Sequence, residues 1–152
     1  MRAGPGGPSK WLKGSLEKLG LDYVDLYLVH VPFCAKVDPK DPDAPFPIGP
    51  DGKMHVESDT DHVAVWKDME AEVRAGRAKA IGLPNYNKRM IQLVLDNCSI
   101  KPANLQVELH VYMQQRPLVD FCHQNGITVC AYSPIGSPGS ATFIQRLGPA
   151  AK

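Results

Sequence analysis

The sequence has 152 residues, 43% hydrophobic and 22% charged, with a formal net charge of +1, a balance that fits one soluble globular domain. So neutral a chain offers no electrostatic footprint for nucleic acid or an anionic membrane, and no window nears 18 consecutive apolar residues, so no membrane span is expected. The opening M-R-A-G-P-G-G-P-S-K lacks the apolar core of a signal peptide, so Cys34, Cys98, Cys122 and Cys130, without a C-x-x-C pair, read as reduced thiols of a cytoplasmic protein.

After a Gly/Pro-rich start over residues 1–8, Ser9 can cap a helix whose apolar face is Trp11, Leu12, Leu16 and Leu19, with Gly20 ending it in the left-handed conformation. Gly20–Pro32 then reads G-L-D-Y-V-D-L-Y-L-V-H-V-P. The run from Tyr23 is almost unbroken in apolar, β-branched and ring side chains, which suits a strand of a parallel sheet. It delivers one titratable side chain, His30, at its C-terminal end, where ligands sit in α/β sheets and barrels. A histidine that merely finishes the strand is the plain alternative. Residues 33–60 carry prolines at 39, 42, 45, 47 and 50, spaced acids and the Asp51-Gly52 turn. A loop of that length is an active-site flap or a structureless segment. Its aspartates lack the closing Glu of a calcium loop, and Cys122-His123 has no second pair for zinc.

Beyond it the chain alternates. A helix is expected from about His62 to Ala75, with Val63, Trp66, Met69 and Val73 inward and Gly76 at its end, then a strand Ala78–Leu83. A helix over Asn87–Asn97 with Met90, Ile91, Val94 and Leu95 on one face precedes a strand Asn104–Leu109. Pro117 helps open a helix bearing Leu118, Val119, Phe121 and Cys122, Gly126 ends it, and Ile127–Tyr132 is the last strand. Residues 139–152 read as a weakly ordered tail. Helix and strand in alternation imply a parallel sheet with right-handed crossovers, either an open doubly wound sheet or part of a (β/α)8 barrel. The G-x-G-x-x-G and P-loop fingerprints are absent. Polar residues stand at all four strand ends: His30, Asn85, Gln106 with Glu108, and Tyr132-Ser133. Together they suggest a lined cavity.

Those residues sit in longer stretches. D-Y-V-D-L-Y-L-V-H-V-P resembles the strand of aldo-keto reductases that carries their catalytic histidine. Met69-Glu70 followed by A-G-R-A-K-A-I-G-L-P-N-Y, then I-K-P-A-N-L-Q-V-E-L-H-V-Y-M-Q-Q and I-T-V-C-A-Y-S-P-I-G-S-P, are similar to further signatures of that family. The resemblance runs from about Lys13 to Pro138. It implies a single domain that is part of a (β/α)8 barrel, about four parallel strands with flanking helices, and reduction of aldehydes and ketones with NADPH, or NADH. By the same resemblance His30 polarises the carbonyl, Asn85 and Gln106 hold the nicotinamide carboxamide, and Tyr132 stacks on its ring. The Ser133–Ser137 loop, including Ile135, lies along the pyrophosphate. Val31 stands in place of a frequent tryptophan and opens the substrate pocket; Pro84 replaces a serine, Leu105 an asparagine, and His110 is structural.

The resemblance also implies what lies outside these residues. It begins just before the family's fourth strand and ends after its seventh, so the first three units and the last are absent. With them go the catalytic aspartate, the proton-donating tyrosine, its lysine and the adenosine-phosphate clamp. Two functions stay open: a piece of a reductase that is not competent alone, or a non-enzymatic remnant that binds a partner. The full-length form is expected to be a monomer, acting on a small carbonyl compound. The 152 residues alone, with two apolar strand edges, are expected to self-associate.

Overall fold

The computed structural model describes residues 7–34, 56 and 59–137. The Asp51-Gly52 turn, most of the long loop and the 139–152 tail lie outside the described residues. Elements alternate without interruption: α1 (Gly7–Leu19), β1 (Val24–Leu28), α2 (His62–Arg74), β2 (Ala78–Pro84), α3 (Lys88–Asn97), β3 (Asn104–Glu108), α4 (Arg116–Gln124) and β4 (Thr128–Tyr132). The four strands form one sheet in chain order, and every pair is parallel. Gly20, Gly76 and Gly126 end the helices before β1, β2 and β4 at φ of 65°, 72° and 74°, a conformation in which a Cβ is costly.

Helix boundaries follow local chemistry. Asp61 caps α2, its Oδ1 accepting from Val63 and Ala64 N–H, and Asn87 caps α3 through Met90 N–H. Ser9 is not a cap. α1 begins two residues earlier at Gly7, Pro8 is buried in its first turn, and the Tyr27 hydroxyl donates to the Pro8 carbonyl at 2.9 Å. The Ser9 side chain instead hydrogen-bonds Glu72.

The core lies between sheet and helices. Tyr27 and Val29, Ile81 and Leu83, Leu105 and Val107 pack against Leu12, Leu16, Val65, Trp66, Met69, Ile91, Val94 and Phe121. α2 turns slightly from the expected face: Val65 is buried beside Trp66 and Met69, while Val63 and Val73 are half-buried. Two glutamates are buried in it. Glu70 Oε1 accepts from Ser99 and Ile100 N–H at 2.6 and 2.8 Å and its Oε2 pairs with Arg74, while Glu72 takes a two-pronged contact from Arg77. These carboxylates tie the α3–β3 connection and the start of β2 to one helix.

The other face of the sheet differs in kind. The registers put Leu28, Gly82, Asn104 and Thr128 in one row, and Asn104 Nδ2 donates to the Thr128 hydroxyl at 3.0 Å. Alternation along each strand adds Val24, Leu26, Ala78, Ala80, Pro84, Gln106, Glu108, Cys130 and Tyr132 to this face. Beyond the Val and Leu of β1, the face is mostly small or polar, with no Leu, Val or Ile from β2, β3 or β4. At Gly82 a Cβ would lie 2.6 Å from both the Asn104 carbonyl oxygen and Leu28 Cδ2, so β1, β2 and β3 close up only over a glycine.

Candidate active site

The strand ends meet at Asn85. This residue follows β2 directly in the left-handed conformation, φ 58°, and its groups reach the other three strands. Its N–H donates to the Gln106 carbonyl on β3 at 2.9 Å. Nδ2 donates to the His30 carbonyl just beyond β1 at 3.2 Å, and Oδ1 accepts from the Tyr132 hydroxyl at the end of β4 at 2.8 Å. One side chain therefore joins the C-terminal rim.

Of the residues expected there, His30, Asn85, Gln106 and Tyr132 are linked in this way. His30 enters through its backbone carbonyl, two residues past β1, and its side chain is exposed. Gln106 is half-buried on the face shared with Tyr132, and its amide makes no hydrogen bond among the described residues. Ser133 and Ser137 both take left-handed φ, 50° and 46°, and their hydroxyls meet at 2.6 Å, closing a tight turn after β4. Ile135 is 82% exposed at its tip. Val31 is half-buried beyond β1 with no hydrogen bond to the rim. Among the described residues, three of the four non-glycine residues at positive φ are Asn85, Ser133 and Ser137; strained backbone of this kind gathers where a chain must present groups to a ligand.

The substituted positions fall out differently. Pro84 is the register partner of Gln106, so a ring replaces a hydroxyl beside that amide. Leu105 is wholly buried on the helix side and leaves the rim untouched. His110 donates from Nε2 to Glu108 at 3.0 Å and accepts from Tyr112 N–H at Nδ1, locking the β3–α4 connection. Gln115, at φ 43°, donates from Nε2 to the Glu108 carbonyl at 2.7 Å. Beside the rim a cleft of about 450 Å³ is lined by Asn85, Tyr86, Glu108, Gln115, Leu118 and Tyr132. Glu108 lines it as the polar strand ends led one to expect, while the role of Gln115 was not expected from sequence; the paired Gln114-Gln115 is the signal that could have found it.

Chemically the rim can take a primary amide. Asn85 has one N–H and one Oδ1 lone pair unused, and Gln106 has its whole amide, against two donors and two acceptor pairs on each such group. A carboxamide offers the complementary set, with the Tyr132 ring, 36% exposed, beside it.

The sequence pattern of the Aldo/keto reductase family matches residues 7–151. The chain belongs to the aldo/keto reductase family. A D-galacturonate reductase of Hypocrea jecorina is 46% identical over 129 residues, 85% of this chain and 41% of that protein. An aldo-keto reductase family 1 member A1 of Xenopus tropicalis is 45% identical over 127 residues, 84% of this chain and 37% of its own. The aldose reductase of Schistosoma japonicum superposes with a TM-score of 0.80 at 37% identity, covering 94% of this chain and 47% of that one. This aldo/keto reductase chain thus spans less than half the length of the relatives it matches, and its four strands and flanking helices are part of a (β/α)8 barrel.

Proposed function

We propose that the Asn85-centred rim is the nicotinamide end of an NAD(P)H-dependent site for reducing aldehydes and ketones, one wall of which these 152 residues supply. The observation that carries this is the left-handed Asn85, holding His30, Gln106 and Tyr132 together with amide capacity left over. A reduced nicotinamide supplies the hydride when bound. Asn85 and Gln106 hold its carboxamide and so choose the ring face presented, and Tyr132 backs the ring. The Ser133–Ser137 turn, with Ile135, faces the pyrophosphate. His30 places a donor where negative charge grows on the carbonyl oxygen, and a donor fixed before the reaction lowers the barrier most. Val31 leaves space for the substrate.

A proton must also reach that oxygen, and the tyrosines are engaged elsewhere. Tyr27 is tied to Pro8, Tyr86 lies 3.2 Å from His62 Nδ1, and burial pushes both phenols far above their ordinary range. Tyr23 sits with Lys79 at the start of β1, Tyr112 is 95% exposed on a loop, and Tyr132 donates to Asn85. General acid catalysis is typically worth about 10²–10⁴-fold, so the 152 residues by themselves should turn over slowly at best. With a reactive aldehyde, NADPH oxidation at 340 nm should run at least roughly 100-fold below an ordinary reductase. NADPH and NADH should bind weakly and about equally. Ordinary turnover, or tight NADPH-selective binding, would overturn this reading.

A further inference from the structure

We propose that His62 is a positioning residue for the Asn85 rim, steadying it through Tyr86 while the imidazole is neutral and loosening it once protonated. Asn85 keeps its left-handed backbone, φ 58°, only while its neighbours on both sides are fixed. On one side is β2. On the other is Tyr86, which is 2% exposed and whose hydroxyl lies 3.2 Å from His62 Nδ1. The two rings also meet edge to face, with centroids 5.2 Å apart. His62 is in turn the first residue of α2, held by its Asp61 cap. Just before the cap, Thr60 Oγ1 accepts from Cys34 N–H, beyond β1, at 3.0 Å. The start of α2 is thus tied both to the end of β1 and, through Tyr86, to the residue that organises the rim.

A buried hydroxyl must place its hydrogen, and among the described residues the partner of the Tyr86 hydroxyl is His62. Neutral imidazole with its proton on Nε2 offers a lone pair at Nδ1, whereas imidazolium carries N–H at both nitrogens and offers none. Protonation therefore turns an acceptor into a donor facing the phenol, and the phenol hydrogen loses its place in a buried site, which is costly. The Cys34 thiol lies close enough for its charge to act on Tyr86, but sulfur accepts only weakly. The charges around His62 are mixed. Asp61 favours the imidazolium, as does Asp96 in the groove that His62 shares with α3; Lys88 and Arg89 line the same groove and oppose it, as does the positive end of α2. Burial opposes it too and outweighs Asp61, holding the group below its ordinary value. The rim is accordingly held at neutral pH and released in mild acid.

Amide NMR on the 152-residue chain reads this coupling without a ligand. Between about pH 8 and 5, spanning the ordinary histidine range, the Asn85 backbone and side-chain signals should shift with the midpoint of the His62 ring protons. His62→Gln, which keeps an acceptor for the phenol and cannot titrate, should abolish that component. Tyr86→Phe, which keeps the ring and removes the hydroxyl, should abolish it as well. An Asn85 titration unchanged in His62→Gln would overturn the proposal, and so would one that still follows the His62 ring in Tyr86→Phe. If Tyr86→Phe does not fold, His62→Gln decides alone. The consequence for nicotinamide rests on the function proposed above, and the two fail separately. A rim that follows His62 yet binds no reduced nicotinamide mononucleotide at neutral pH would overturn that function and uphold the coupling.

Discussion

At Asn85 the backbone and the side chain make opposite demands. A left-handed φ costs an ordinary residue about 1–2 kcal/mol, while each hydrogen bond of its side chain contributes roughly 1 kcal/mol net. Asparagine tolerates the φ and makes the bonds, so one residue satisfies both. Asn85→Ala loses the bonds and keeps the strain; Asn85→Gly loses the bonds but relieves it. Urea unfolding should therefore show Asn85→Ala less stable than Asn85→Gly by roughly 1 kcal/mol. Equal loss in the two would mean the strained backbone matters little. Sequence marked Asn85 as a site residue, but its conformation and its bonds to His30 and Tyr132 depend on partners some 50 positions away. No local pattern encodes those. The place of Gln106 was legible from its position as a polar residue near the end of an expected strand, and the structure puts its carbonyl against Asn85 N–H.

The element most exposed to pH is α2. Burial would raise the Glu70 carboxyl, but the N–H groups of Ile100 and Ser99 and the Arg74 guanidinium outweigh it and hold the group below its ordinary value. Glu72 is held down chiefly by Arg77, with Ser9 and Lys13 adding to it against burial. A carboxylate lowered in the folded state lends stability above its unfolded pKa of about 4.3, which is lost as pH falls through the folded value. His62 is lowered too, by burial, against the opposing charge of Asp61. Its neutral form is favoured in the fold, so its share fades as pH drops below about 6.5. Thermal melts from pH 7.5 to 3 should lose stability in two stages: an upper one absent in His62→Gln, and a lower one reduced in Glu70→Gln. A single stage unaffected by His62→Gln would contradict this. Helix and strand order, and the three helix-ending glycines, were legible because they rest on local periodicity and φ. The glutamates were not, since a charge on a helix reads as solvent-facing until its distant backbone donors are known.

Across the whole molecule, the sheet separates its two duties by face. Apolar residues pack under the helices, while the other side, apart from the Val and Leu of β1, and the rim are lined mostly by small and polar ones. On that face β1 brings Val24, Leu26 and Leu28, and the row across the sheet at Leu28 continues through Gly82, Asn104 and Thr128 with no Leu, Val or Ile from the other three strands. Parallel architecture was legible from the alternation of elements, and part of a barrel from the resemblance. The composition of the inner face was not, since it follows from registers that only the assembled sheet fixes.

The rim's claim on nicotinamide is tested most directly with reduced nicotinamide mononucleotide, which carries the ring and carboxamide without the adenosine end. Titrated by its own fluorescence, it should bind weakly to the wild-type chain. Gln106→Leu should weaken it roughly 5- to 10-fold, the loss of about one net hydrogen bond, with the fold intact by circular dichroism. Binding unchanged by Gln106→Leu, or no binding to the folded wild type, would contradict the account.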